Sequence, residues 1–436
     1  MRALPVLLVI ACSAAKPPPA PPGPPACDAL PVLGKAEPTS LASDASGGLA
    51  IAGDFAGTMQ AAAAGITSAG GTDVFVLRTN TDGSVRWLRQ IGGPGTESAS
   101  AVALFPNGDA VVVGAADGHC FAARLADADG RRLWTAQLPG DGESRCRAVS
   151  IDAKGEAWTT GYFSGLLSGN ASKGMYDLFV VRFAGASGDA FFVRAIGGKG
   201  KELPRAIAAL ADGSALLGGQ FGGEVDVTES DVDFGKGPVR SNGDYDGFLL
   251  KLQPDGKTAW VATFGDNGDD EINALLVGAD GTVYASGHHQ PAANYLGLNP
   301  HGVGNFTGIV LRYSRDGRGD WVRIFEGPSS TANHLAFDEK GRLWTAGVEH
   351  GLRLDDTVIE DAGRGDAYAL AFDPNTGTPI GSRRWGSPAF DIARGVARIP
   401  GGIAVTGFTE GEMAVCGKPI GTAGERTAFV VWLRDL

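Results

Sequence analysis

The sequence predicts an all-β fold, a seven-bladed β-propeller of four-stranded antiparallel blades. A pattern of two glycines with five residues between them recurs at near-constant spacing along the chain. Around each pair the chain reads as four short strands joined by Gly-bearing turns, with almost no helical pattern. The pairs define units one to seven: Gly47/Gly53, Gly108/Gly114, Gly155/Gly161, Gly213/Gly219, Gly281/Gly287, Gly341/Gly347 and Gly401/Gly407.

The strands of a unit follow one order. In unit two the first strand is AVALF (101–105), the turn is PNGD and the second strand is AVVVG. A connection of variable length leads to a third strand, and a second Gly turn leads to a fourth. Small residues recur in the first strands, where a propeller axis is crowded: Ala101, Ala148, Ala206 and Ala274. The fourth strands carry aromatic residues that we expect to fill the gap between blades: Trp87, Trp134, Phe192, Trp260 and Trp321.

Ring closure is predicted from the two ends of the repeat region. Unit seven reaches its third strand, AFVVW (428–432), and lacks a fourth. The segment CDALPVL (27–33) precedes the first strand of unit one, TSLAS (39–43). We expect residues 27–33 to complete the seventh blade and close the ring, which removes an open sheet edge.

The N-terminal segment predicts export. Arg2 and a short apolar core indicate a signal peptide over residues 1–11, too short to span a bilayer. Val9-Ile10-Ala11-Cys12 resembles the bacterial lipobox, which implies lipidation of Cys12; a plain signal peptide is the alternative. Residues 12–26 are proline-rich and predict an extended tether, and residues 27–436 form the propeller. The protein is thus expected to be anchored to a membrane through Cys12, in the periplasm or at the outer membrane, including its outer surface.

Four further cysteines predict disulfides, since their number is even in an exported chain. Three connectivities are open. Cys120 begins a third strand and Cys146 precedes the next first strand, so both belong to one end of the ring. Cys27 and Cys416 both fall in unit seven, where a disulfide would secure the closure. None forms a CxxC pair, which argues against zinc.

Two stretches resemble the SBBP-type β-propeller repeat, which is common in secreted and surface proteins of myxobacteria and related groups. They are TSAGGTDVFVLRTNTDGSVRWLRQIGG (67–93) and FGDNGDDEINALLVGADGTVYASG (264–287). All seven units can be aligned to this repeat, units one, three, four and five best. The resemblance implies a propeller fold and supplies no activity, ligand or catalytic residue.

The candidate binding site is the mouth of the axial channel. Long second-to-third-strand connections, predicted as loops, share this end: 54–72, 162–176, 220–245, 288–306 and 348–365. Polar residues lie at or just before the start of the first strands: Ser100, Arg147, Arg205, Asn273, Asn333, His334 and Arg394. A ring of arginines suits an anionic or carbohydrate ligand. The alternative is that the arginines are solvated, or paired with acids such as Glu202 and Asp391.

Metal and cofactor signals are weak. Asp226, Asp231 and Asp233 lie in an acidic stretch that lacks the ligand order of a calcium loop, and a structural loop is the preferred interpretation. His288, His289 and His301 are close in sequence but have no carboxylate at defined spacing. No hydrolase, P-loop or dinucleotide motif is present, so no cofactor is predicted. A net charge of −12 without a basic run argues against nucleic acid.

The sequence leaves two functions open. The first is a binding or scaffold module with a protein or glycan ligand on the loop-bearing face. The alternative is a polysaccharide-directed lyase or hydrolase that uses the channel-mouth residues, and it is the less favoured one. An enzyme would need converging titratable groups with perturbed pKa values in a deep pocket.

Overall fold

The computed structural model describes residues 27–223, 231–265, 267–290 and 306–436. The regular elements of these ranges are all β-strands. Within them, no helix has the length and apolar character needed to cross a membrane. The predicted signal peptide, Cys12 and the proline-rich tether lie outside the described residues.

The strands of units one to three are as follows. Unit one has β1 (Cys27–Ser43), β2 (Leu49–Ala61), β3 (Ala64–Thr79) and β4 (Val85–Ile91). Unit two has β5 (Glu97–Leu104), β6 (Ala110–Ala116), β7 (His119–Leu125) and β8 (Arg132–Gln137). Unit three has β9 (Ser144–Ile151), β10 (Ala157–Phe163), β11 (Leu166–Leu167), β12 (Asn170–Ala171), β13 (Asp177–Phe183) and β14 (Ala190–Ile196).

The later units repeat this plan. Unit four has β15 (Lys201–Ala209), β16 (Ala215–Gly222), β17 (Val232–Asp233), β18 (Pro238–Val239), β19 (Tyr245–Leu252) and β20 (Thr258–Phe264). Unit five has β21 (Glu271–Val277), β22 (Val283–His289), β23 (Thr307–Tyr313) and β24 (Gly319–Ile324). Unit six has β25 (Ser330–Phe337), β26 (Leu343–Glu349), β27 (Leu352–Leu354), β28 (Thr357–Ile359), β29 (Asp366–Phe372) and β30 (Pro379–Trp385). Unit seven has β31 (Asp391–Ile399), β32 (Gly402–Thr409), β33 (Met413–Val415), β34 (Lys418–Ile420) and β35 (Thr427–Arg434).

Units two to six each form one four-stranded antiparallel sheet, and units seven and one share a seven-stranded sheet in the order β31-β32-β35-β1-β2-β3-β4. The first strand of every unit contacts the first strand of the next, and β31 of unit seven contacts β1 of unit one. The sheets thus surround a common centre, which is the architecture of a β-propeller.

Strand β1 corrects the predicted division of the N-terminal region. The sequence predicts two segments, 27–33 and 39–43, but both belong to one strand. Its residues Cys27–Val32 pair with β35 and its later residues pair with β2. Gly34 lies at the change of partner with a φ of +103°, and a Cβ there would lie 2.4 Å from the carbonyl oxygen of Thr58. Only glycine fits this backbone without strain.

The aromatic residues of the fourth strands pack between units, as predicted. The indole of Trp87 lies against Gly130 in the second turn of unit two, where an added Cβ would be 2.8 Å from the ring. Trp134 lies in the same way against Gly188 of unit three. In unit six, Trp385 is buried in a cluster with residues of unit seven. Gly130 and Gly188 therefore each allow both a turn and a close contact with an aromatic ring.

In their described parts, four of the five long connections contain paired strands and are not free loops, contrary to the prediction. In unit one the connection is an extension of the β2–β3 hairpin. In units three, four and six it contains the hairpins β11–β12, β17–β18 and β27–β28. Unit seven has β33–β34, a hairpin that the sequence pattern does not predict. Of the connection 288–306, only residues 288–290 and 306 are described.

These hairpins cover the outer grooves between neighbouring sheets. Phe234 of β17–β18 packs on Phe221 and Phe248 with ring centroids 5.6 and 5.1 Å apart, in one buried cluster with Trp158 of unit three. Leu352 and Ile359 of unit six lie in a buried cluster with Trp321 of unit five. The hairpins are part of the core, because a wedge-shaped gap between twisted sheets leaves apolar surface to bury.

Both predicted disulfides are present. Cys120 is bonded to Cys146 and thereby joins β7 of unit two to β9 of unit three. Cys27 is bonded to Cys416, which joins the start of β1 to the β33–β34 hairpin across 389 residues of sequence.

Candidate functional site

The candidate site is built by one β-bulge in each first strand. In unit three, Cys146 pairs with Gly161 and Ala148 pairs with Thr160, so that Arg147 is left between them without a partner in the ladder. A bulge of this kind kinks the strand and re-aims one side chain. The same shift occurs in the other first strands, and the bulged residues are Thr39, Ser100, Arg147, Arg205, Asn273, Asn333 and Arg394.

The second glycine of each repeated pair makes this bulge fit. A Cβ on Gly161 would lie 1.9 Å from the carbonyl oxygen of Arg145, and one on Gly287 would lie 1.8 Å from that of Glu271. The corresponding distance is 2.2 Å at Gly53. A side chain at these positions would push the two strands apart. The repeated motif is therefore the sequence signature of the bulge.

The bulged residues surround a single central cavity of about 590 Å³. All seven positions predicted from the sequence line it: Ser100, Arg147, Arg205, Asn273, Asn333, His334 and Arg394. His334 follows the bulged residue of unit six, at the position that alanine occupies in units two to five. The structure thus brings the candidate residues together, and their role in binding remains a prediction.

Acidic residues of the wall pair with two of the arginines. Arg205 forms an ion pair with Glu271, and Arg394 forms one with Glu37 at 3.3 Å. These partners differ from the expected ones. Glu202 is buried and accepts the backbone N–H of Gly198, and Asp391 accepts the N–H of Ser387, so neither is a counter-ion for the ring.

Arg145 and Arg147 lie on the same wall of the cavity. Nε of Arg145 donates to Oγ of Ser100 at 3.1 Å. Within the described part of the chain, the side chain of Arg147 forms no hydrogen bond and no ion pair, and it is only partly buried. Arg147 can therefore meet a ligand without breaking a contact of its own.

The third wall carboxylate is Asp54, which follows Gly53 directly. Its Oδ1 accepts the backbone N–H of Ala99 at 2.6 Å. Burial raises the pKa of Asp54 to about 6, although this hydrogen bond and the charge of Arg145 act in the opposite direction. Asp54 therefore loses its negative charge in mildly acidic solution.

Burial favours the neutral form of the two histidines of the wall. Burial lowers the pKa of His288, although Glu271 lies 3.9 Å from its ring. Burial also lowers the pKa of His334. With Arg145, Arg147, Arg205 and Arg394 against Glu37, Asp54 and Glu271, the wall carries four positive and up to three negative charges. The cavity is a cationic site in an acidic protein.

Sequence reasoning missed Glu37, Asp54, Arg145 and Glu271. A signal was available for three of them. Glu37, Arg145 and Glu271 each lie two residues before a bulged residue. Alternate residues of a strand face the same side, and side chains two before the ring position therefore also reach the cavity.

The candidate metal residues are engaged in other contacts. Asp231 forms a two-point ion pair with Arg240, and Oδ1 of Asp233 accepts the backbone N–H groups of Gly235, Lys236 and Gly237. Nδ1 of His289 lies 2.8 Å from the carbonyl oxygen of Gln290. Asp226 and His301 lie outside the described residues. Among those that are described, no three His, Cys, Asp or Glu side chains are grouped to hold a metal ion.

Comparisons with known proteins give distant structural similarities. No protein-family model and no curated protein matches the chain. The Dos1 propeller is 10% identical over 92% of this chain and 93% of its own, with a TM-score of 0.45. The Pan2 WD40 domain of Neurospora crassa is 10% identical over 91% and 89%, with a TM-score of 0.47. BamB of Moraxella catarrhalis is 14% identical over 90% and 93%, with a TM-score of 0.40. The propeller assignment rests on the strand arrangement itself.

Proposed function

We propose that this protein is a binding module, and that its central cavity holds an anionic group of a glycan or protein ligand. One observation carries the proposal: the repeated bulge aims arginine side chains from three units into one cavity, joined there by Arg145. Amide and hydroxyl groups of Asn273, Asn333 and Ser100 complete the wall. Arginine binds carboxylates through two parallel hydrogen bonds, and each hydrogen bond to a charged group contributes about 1.5–3 kcal/mol.

We propose further that the scaffold is a ring of seven blades closed by β1. Its support is the pairing of Cys27–Val32 with β35 and the contact of β1 with both β5 and β31. Blade seven then takes its outer strand from the N-terminal side. The Cys27–Cys416 disulfide adds a covalent clamp to the same junction.

The proposed setting is outside the cytoplasmic membrane. The lipobox-like sequence before Cys12 favours a lipid anchor in the periplasm or at the outer membrane, with the proline-rich tether before the ring. Two disulfides suit an oxidising compartment. The resemblance of the units to the SBBP-type repeat favours the same setting, because that repeat is common in secreted and surface proteins.

The polysaccharide lyase or hydrolase is the weaker candidate. Asp54, with a pKa raised to about 6, is the one wall carboxylate suited to proton transfer. Glycoside hydrolysis needs a pair of carboxyl groups, and Glu37 and Glu271 are bound to arginines. The wall is better suited to hold an anion than to transform it.

Calorimetric titration of the full chain tests the proposed function. Trigalacturonate is the anionic probe, and galactotriose is the neutral probe of matched size. We expect the anion alone to bind, and Arg147→Gln to weaken it roughly tenfold or more, as the loss of a charged hydrogen bond predicts. Arg315→Gln is the control, because Arg315 is exposed and does not line the cavity. Equal affinity of the Arg147→Gln and parent proteins would remove the cavity as the site.

A further inference from the structure

The outer groove between units one and two differs from the other described grooves. It is an open cavity of about 300 Å³. Unit two has no inserted hairpin, because β6 and β7 are joined by a two-residue turn, Asp117 and Gly118. In units three, four and six, a hairpin of the chain itself covers the equivalent place.

The covered grooves show how an occupant is held. Each hairpin forms an antiparallel bridge just beyond the fourth strand of the preceding unit: Leu167 with Gly140, Val232 with Gly198, and Arg353 with Glu326. An added Cβ on Gly140 would lie 2.4 Å from the carbonyl oxygen of Leu166, and one on Gly198 would lie 2.3 Å from that of Asp231. The hairpin backbone thus rests directly on a glycine.

Gly93 is the equivalent glycine of unit one, in the shared phrase Ile-Gly-Gly (91–93 and 196–198). No described atom beyond its chain neighbours lies within 4 Å of an added Cβ there. The place that a hairpin occupies elsewhere is therefore vacant among the described residues. The backbone at Gly93 can therefore accept another chain segment, as the equivalent glycines accept a hairpin.

The side chains that hold the hairpin of unit four also have counterparts here. Nη2 of Arg194 donates to the carbonyl oxygen of Phe234 at 3.2 Å, and Oγ1 of Thr258 donates to the same oxygen. Arg89 occupies the position of Arg194 in unit one, and Arg132 occupies that of Thr258 in unit two. Both line the open groove beside the apolar Ile91 and Leu125.

The positive charge of the groove favours an acidic occupant. Arg89, Arg131 and Arg132 line it, and its lining contains no acidic side chain. All three are exposed. The chain's own tether, residues 13–26, contains no acidic residue and is thus a poor complement.

We propose that this groove is a docking site for an acidic extended segment of a partner protein, which binds as the inserted hairpins do. An apolar side chain of the segment takes the place of Phe234. Arg89 and Arg132 donate hydrogen bonds to a backbone carbonyl oxygen of the segment. Acidic side chains of the segment pair with Arg131 and its neighbours. The site lies on the outer wall and is separate from the central cavity.

The probe for this site is a hairpin peptide that copies Asp231–Arg240, closed by an added disulfide, with Glu at the positions of Lys236 and Arg240. Its binding to the full chain is followed by fluorescence anisotropy. We expect binding in the micromolar range, a loss of at least tenfold in Arg89→Ala/Arg132→Ala, and little change in Arg315→Ala. The peptide with Ser in place of Phe234 is expected to bind at least tenfold more weakly.

Gly93→Val provides the sharpest control. The added side chain has open space, and Gly93 does not adopt positive φ, so the fold and its melting temperature should not change. It should abolish peptide binding and leave trigalacturonate binding intact, which separates this proposal from that of the central cavity. Unchanged peptide binding in Gly93→Val, equal binding of a peptide with Lys at both positions, or no binding to the parent at 1 mM would each overturn the proposal.

Discussion

The central cavity and the outer grooves use the same repeat for opposite purposes. At the centre, a glycine admits a bulge in every first strand, and the bulged side chain varies from threonine to asparagine to arginine. In the outer grooves, variable hairpins cover apolar surface with buried side chains such as Phe234. The difference teaches that sequence variability alone does not mark a binding surface. The described hairpins of the long connections are part of the core, whereas the bulged positions line the central cavity.

The largest effect on the central cavity and the outer grooves should come from removing the part of β1 that belongs to unit seven. Deleting residues 27–33 leaves β35 as an open edge and removes Cys27 with its disulfide. We expect aggregation and a lowered melting temperature, measured by sedimentation velocity and calorimetry. A monomeric product that melts like the parent would refute the proposed closure.

If the inserted hairpins belong to the hydrophobic core, replacing one of their buried side chains should destabilise the whole fold. Phe234→Ala should lower the free energy of unfolding by about 3–5 kcal/mol, since it removes a fully buried ring. Val358→Ala is the comparison, because Val358 belongs to a hairpin but is 53% exposed. Its effect should stay within about 0.5 kcal/mol. Denaturant unfolding measures both, and equal effects would contradict the assignment.

The bulge can be tested by adding one methyl group. Gly161→Ala places a Cβ 1.9 Å from a carbonyl oxygen and should cost about 1–3 kcal/mol, the usual range for overpacking. Gly381→Ala is the matched control, because nothing lies within 4 Å of its Cβ and its φ is not positive. If both variants unfold at the same denaturant concentration, the second glycine of the motif is not required by the bulge.

The smallest expected effect concerns the charge of the central wall. The folded-state pKa of Asp54 is raised from 3.8 to about 6. The folded chain therefore keeps a proton that the unfolded chain releases, and stability falls as pH rises from about 4 to 6. Asp54→Asn should flatten this part of the stability profile.

The same variant should bind trigalacturonate a few-fold more tightly than the parent at pH 7.5, and about equally at pH 5. Titration calorimetry at the two pH values measures the difference. A pH-independent difference between Asp54→Asn and the parent would show that the carboxylate does not act through its charge.

The position of the ring residues could be predicted because a local rule fixes it. Each lies inside a first strand, eight residues before the turn glycine in units one to six and seven before it in unit seven, and the repeat shows that position several times. The partners of these residues could not be predicted in the same way. Arg205 meets Glu271 of the next unit, and Arg394 meets Glu37 of a unit at the other end of the chain. Such pairs depend on how the sheets are arranged around the centre.

By itself, the sequence determined the all-β class, the repeated unit, the places of the turns and part of the cavity wall, because glycine geometry and strand alternation act within a few residues. Only the tertiary structure decided the ion pairs of the wall, the path of β1 and the burial of the hairpins. It also decided that no described hairpin covers the groove between units one and two. These features depend on surfaces that meet only when neighbouring sheets pack, and the gap between two sheets is not encoded in either one alone.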